Sequence, residues 1–208
     1  MDTVRQIRFI WKPLIFIASL VPFALVVGDL FQVTGSLGAN PVEEIQDRFG
    51  YWGLRFILIA LAVTPARTIT DKQWLTRFRR MLGLFAFFYV LMHFLTWLIL
   101  DQGLLLSAIG EDIFKRPFIT IGFAAMLILL ALTATSTTGV RRRLGKTWQK
   151  LHNWVYAAAI LGVWHYWWQV KLDATDPAIY AAILALLLSY RFWQRRKRAR
   201  QRTQTASA

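Results

Sequence analysis

Apolar residues gather along the chain into six runs, at 13–27, 51–63, 81–100, 118–134, 151–170 and 177–190, separated by polar and charged segments. Several runs approach or reach the roughly 20 residues that an α-helix needs to cross a bilayer. The second run is short but extends to Pro65, and Arg55 can carry its charge to the interface along its aliphatic stem. The pattern predicts an all-α integral membrane protein, a bundle of six transmembrane helices. The first run lacks a small-x-small cleavage site behind it, and five further runs follow, so it reads as a span rather than a cleaved signal peptide.

Composition supports a lipid environment. Of 208 residues, 56% are hydrophobic and only 17% charged, against about 25% in soluble domains. Cysteine is absent. That excludes disulfide exchange, iron–sulfur clusters and thiolate zinc sites. The net charge of +14 is unevenly spread. With six spans, the termini and the segments near 66–80 and 136–150 share one side, which carries 20 of the 25 Lys and Arg residues. The segments 28–50, 101–116 and 171–176 hold 9 of the 11 acidic residues. The bias of basic residues predicts that both termini are cytoplasmic. The basic tail from Arg191 to Arg202 then reads as an anchor to anionic membrane lipids, with no nucleic-acid partner. One membrane domain is expected over 1–200 and a disordered cytoplasmic tail over 201–208, with no internal repeat.

The chemistry concentrates in three histidines. His93 lies about 12 residues into the third apolar helix, or about 18 Å above its cytoplasmic end, and His165 about 15 residues into the fifth, about 22 Å. Those helices run in the same direction, so the two imidazoles fall at comparable depth. Ionisable groups at mid-membrane are costly and usually functional. Two histidines on separate helices suit axial ligation of a heme iron from opposite faces, and the surrounding Phe, Trp, Leu and Ala suit porphyrin walls. Without a Cys-x-x-Cys-His motif the heme would be non-covalent, heme b. A zinc site fits less well, because no carboxylate accompanies these histidines. Hydrogen-bonded polar residues without a cofactor, a small transporter and a structural anchor are the alternatives. His152 lies near the cytoplasmic mouth, about 140° from His165 around an ideal helix. Its options are a second heme with an unusual partner, a propionate of the first, a flavin or quinone, or an interfacial polar role. Gly83, Gly122 and Gly162 suit close helix packing. Arg79–Arg80 and Arg141–Arg143 suit heme propionates or a flavin phosphate or, more simply, membrane anchoring.

The stretches LAVTPAR (61–67), RRMLGLFAFFYVLMHFLTW (79–97) and RRRLGKTWQKLHNWVYAAAILGVWHYWW (141–168) resemble the heme-binding membrane subunits of periplasmic protein-methionine-sulfoxide reductase systems, within the ferric-reductase-like transmembrane superfamily. The resemblance implies a b-type cytochrome of the bacterial inner membrane, with His93, His152 and His165 at the family's histidine positions and flavin mononucleotide (FMN) as an additional cofactor. It implies electrons from the quinone pool or a cytoplasmic flavin reductase, delivered to a periplasmic molybdopterin-containing catalytic subunit. The ferric-reductase pattern pairs histidines 14 residues apart on each of two helices. Here Arg79 stands 14 residues before His93, and the fifth-helix pair is separated by 13. The 18 residues after Tyr190 leave no room for an NAD(P)H-binding domain in this sequence. Lacking a cysteine nucleophile and a molybdenum domain, the chain is expected to be a non-catalytic electron-transfer subunit.

Overall fold

The computed structural model describes residues 3–170 and 173–206. Helices account for nearly all of them: α1 (Thr3–Gln6), α2 (Lys12–Leu30), α3 (Pro41–Thr70), α4 (Arg79–Thr96), α5 (Leu106–Lys115), α6 (Pro117–Ala134), α7 (Thr138–Leu144), α8 (Lys146–His152), α9 (Val155–Gln169) and α10 (Thr175–Ala206). A π turn, Ile7–Trp11, joins α1 to α2, and another, Trp97–Asp101, prolongs α4. A 3₁₀ segment, Gln73–Phe78, leads into α4.

The start of α3 follows local chemistry. Asn40 caps it by accepting from the Glu43 N–H, Pro41 occupies the first turn, and Glu43 and Glu44 lie where the helix dipole favours negative charge. Arg48 ties this turn to the end of α2 through Asp29 at 2.5 Å and also pairs with Glu44. At the other end, Asp71 ends α3 in the left-handed region, with φ of 53°.

Two helix pairs dominate the packing, α3 with α4 and α6 with α9, and they meet through α4–α6 and α3–α9 contacts. α10 lies against α9 and α3. At the centre Tyr89 is wholly buried, stacked on Phe56 at 5.3 Å, with Phe56 in turn stacked on Phe85 at 5.7 Å. The Tyr89 hydroxyl donates to Ser19 O (2.6 Å) and accepts from Phe23 N–H (3.1 Å). Those two backbone groups are four residues apart, flanking Pro22, so the tyrosine bridges a helix where proline has weakened the ladder. Large apolar side chains such as Phe16, Ile17, Leu130, Ile160, Trp164 and Leu186 point outward and are exposed. Lipid, not water, is the solvent such a surface suits.

Among the described residues, four helical segments are long and apolar enough to cross a membrane, Val4–Leu30, Pro41–Thr70, Gln73–Asp101 and Pro117–Ala134, where six runs were expected. The other two fall short for physical reasons. The run at 151–170 is broken at Asn153–Trp154, leaving α9 with 15 residues, about 22 Å against a hydrocarbon core of about 30 Å. In α10 the uncharged stretch stops at Tyr190, where a dense series of basic residues begins. The chain is an all-α integral membrane protein with several long apolar helices. α10 continues through Ala206, into the stretch expected as a tail; residues 207 and 208 lie outside the described residues.

Candidate functional site

The histidines of α4 and α9 come together. The His93 and His165 ring centres are 6.1 Å apart, with planes at 80°. Each ring is held by a backbone carbonyl of the partner helix in its own pair. His93 Nδ1 lies 2.8 Å from Gln46 O on α3, and His165 Nδ1 lies 2.7 Å from Phe118 O on α6. A carbonyl only accepts, so Nδ1 carries the proton in both rings and the lone pair sits on Nε2. Each neutral imidazole thereby presents its Nε2 lone pair, and a second hydrogen bond of this kind orients metal-bound histidines generally.

Each ring also rests on a glycine. A Cβ at Gly50 would come within 3.0 Å of His93 Nδ1, and one at Gly122 within 2.7 Å of His165 Nδ1. The two halves correspond at a constant offset: Gln46, Gly50 and His93 become Phe118, Gly122 and His165 on adding 72 to each number. The α3–α4 and α6–α9 pairs are thus two versions of one device, a carbonyl and, one turn later, a glycine, facing a histidine. This corrects the expectation of no internal repeat. Only a few residues are identical across the offset, so the repeat lies in the geometry rather than in the composition.

A cavity of about 1160 Å³ surrounds the pair. Its walls include Leu54, Ile57, Val90, Phe94, Met126 and Leu129. Among the described residues its edge is acidic, with Glu43, Asp47, Asp101, Asp173 and Asp176 beside Arg116. The Asp173 carboxylate is held below its usual range by the Thr175 hydroxyl and backbone N–H, the latter at 2.8 Å.

The cavity fits a planar group with a central metal. Two imidazoles bonded to one metal at about 2 Å each would place their ring centres about 6 Å apart, close to the separation observed. Among the described residues, no group of three or more His, Cys, Asp or Glu side chains could hold a bare ion. A heme would ask for no more than the two imidazoles as side-chain ligands, and its apolar faces would suit these walls.

His152 is elsewhere. Its Nε2 is 3.2 Å from Thr135 Oγ1, and its ring stacks on Trp148 at 3.9 Å. Trp148 also donates from Nε1 to Thr135 O at 2.9 Å, which fixes the pair against the end of α6. It is not among the residues lining the cavity. The carbonyls of Gln46 and Phe118 and the steric role of Gly50 were not foreseen. The signal available was the two glycines, each 43 residues before a histidine.

Residues 49–163 match the family of ferric reductase like transmembrane components. The chain belongs to this family. The matched segment contains Gly50, His93, Gly122 and His152 and ends two residues before His165. The chain is 48% identical over 200 residues to the protein-methionine-sulfoxide reductase heme-binding subunit MsrQ of Xanthomonas euvesicatoria pv. vesicatoria (strain 85-10), covering 92% of each chain. It is 47% identical over 193 residues to the protein of the same name from Herminiimonas arsenicoxydans, covering 91% of this chain and 88% of that one. No solved structure matches.

Proposed function

We propose that this chain is the heme-binding, electron-transferring membrane subunit of a protein-methionine-sulfoxide reductase system, with His93 and His165 as the axial ligands of one heme b. The observation that carries the assignment is the pair of carbonyl-anchored imidazoles 6.1 Å apart inside a cavity with apolar walls. The relatives named as heme-binding subunits, similar along nearly their whole length, support it.

When bound, heme supplies a one-electron centre within hydrocarbon that otherwise conducts nothing. The chain's own contribution is positional and electrostatic. Gln46 O and Phe118 O hold the Nδ1 protons and keep each Nε2 directed to a metal. Gly50 and Gly122 let the helices close on the rings. The aliphatic walls exclude water and so tune the potential of whatever they enclose.

All six apolar runs cross the inner membrane in this reading, with α9 completed by the residues flanking its short helix and both termini in the cytoplasm. Support comes from the packing of α9 along α6 and of α10 along α9 and α3, together with the sidedness of the basic residues. The acidic edge of the cavity then faces the periplasm, where a molybdopterin-containing catalytic subunit takes the electrons and reduces methionine sulfoxide. Electrons enter from the cytoplasmic side, from the quinone pool or a flavin reductase. FMN rests on the family resemblance alone, and no residues are assigned to it.

The test is reconstitution of the full chain in vesicles, with a donor inside and a periplasmic methionine sulfoxide reductase catalytic subunit outside. Sulfoxide reduction should depend on the chain and vanish with His165→Ala. Equal reduction by the variant would overturn the assignment.

A further inference from the structure

Far from the histidine cavity, at the other end of α3, arginines from three helices converge with no counter-charge among the described residues. Arg67 lies in the last turn of α3, Arg79 is the first residue of α4, and Arg191 and Arg195 follow the apolar stretch of α10. The Arg191 guanidinium donates to Thr64 Oγ1 at 2.5 Å and sits 4.9 Å from the centre of the Tyr156 ring, over which Arg195 also lies at 5.9 Å. Arg79 is within electrostatic range of Arg67, Arg191 and His152. The Nε of Arg67 is buried with no hydrogen-bond partner.

Among the described residues, no carboxylate pairs with them. Every ion pair among the described residues, Arg48 with Asp29 and Glu44, Lys115 with Glu111 and Arg116 with Asp112, involves other residues. The segments that build the cluster, 60–80, 135–156 and 190–196, contain one acidic residue, the exposed Asp71. Desolvated like charges repel, and a buried guanidinium N–H without an acceptor is costly. Such a cluster persists when an anion with several acceptor oxygens sits among the forks.

We propose that Arg67, Arg79 and Arg191 form a binding site for a phosphate group. A phosphate has enough oxygens to accept from three guanidinium groups at once, whereas a carboxylate saturates on one or two. The cluster is separate from the histidine cavity: Arg79 is 14 residues, about 21 Å, from His93 along α4, and none of the three arginines lines that cavity. All three arginines lie where apolar helix gives way to basic segment, the depth of lipid headgroups. The phosphate comes either from an anionic phospholipid or from a small soluble phosphate.

The test uses the full heme-loaded chain in detergent, analysed by native mass spectrometry with phosphatidylglycerol, phosphatidylcholine or inorganic phosphate added. Retention of phosphatidylglycerol over phosphatidylcholine, unaffected by inorganic phosphate, identifies a lipid headgroup. Direct retention of inorganic phosphate, or its displacement of the lipid, identifies a soluble phosphate. In either case the double variant Arg67→Gln/Arg191→Gln should bind about tenfold more weakly, while Arg142→Gln/Arg143→Gln, which removes two exposed charges, should bind as the parent does. Equal binding by both double variants, or no preference for either phosphate probe over phosphatidylcholine, overturns the proposal. If the first double variant loses its heme spectrum, Arg67→Lys carries the test. It keeps the charge and removes the fork, so it should bind several-fold more weakly, and unchanged binding would overturn the site.

Discussion

Gly122 and Gly50 decide how closely each histidine can approach the helix that orients it. At Gly122 a methyl group would stand 2.7 Å from Nδ1 and 2.8 Å from Cε1 of His165; at Gly50 the nearest contacts are 3.0 and 3.2 Å. The ring must move, and with it the Nδ1 hydrogen bond to Phe118 O or Gln46 O. Overpacking of this kind costs about 1–3 kcal/mol. Gly122→Ala should therefore lose more heme than Gly50→Ala in a pyridine hemochrome assay, with both below the parent. Full heme content in Gly122→Ala would show that the glycine cradle is incidental. At this scale the sequence was partly legible. The two mid-membrane histidines stood out because few polar groups share their helices. Their anchors did not, because a backbone carbonyl has no side-chain signature.

Helix pairing is the next scale, and small residues set it. A Cβ at Gly53 on α3 would meet Val90 Cγ2 at 2.8 Å and its backbone N at 3.2 Å, so α3 and α4 touch nearly backbone to backbone. Gly83, on the same α4, has nothing within 4 Å of its would-be Cβ. Gly53→Leu should force the pair apart and lower both heme content and thermal stability, while Gly83→Ala should change neither. Equal effects of the two substitutions would mean that this close approach does not position the site. The six-helix reading from apolar runs located every long helix but overstated how many are apolar along a full membrane thickness. Hydropathy does not register the break at Asn153–Trp154, which is a local backbone event, and in α10 it marks the change from apolar to basic at Arg191 but not that one helix runs through both. The repeat was invisible for a related reason. Each pair needs only a carbonyl, a glycine and a histidine in register, and the lipid-facing positions around them are free to vary among apolar residues.

For the whole molecule, the charge distribution and the cavity make one joint statement about direction. The acidic edge opens at the end of the bundle near Asn40 and Asp173, and the arginine cluster sits at the other. An electron path from a basic cytoplasmic face to an acidic periplasmic edge requires Gly110 and Gly139 on opposite sides of the membrane. Both have open space around them, and the chain contains no cysteine, so single cysteines there give clean reporters. In intact spheroplasts a membrane-impermeant maleimide should label Gly110→Cys and leave Gly139→Cys unlabelled until the membrane is opened. The reverse pattern would invert the topology, and with it the docking face. The central claim, one heme shared by His93 and His165, is tested most directly by the dithionite-reduced minus oxidised spectrum of the purified full chain and its histidine variants. The account predicts low-spin b-type bands in the parent that disappear in both His93→Ala and His165→Ala. Bands of parental intensity and position in either variant, or a folded, heme-supplemented parent with none, would contradict it.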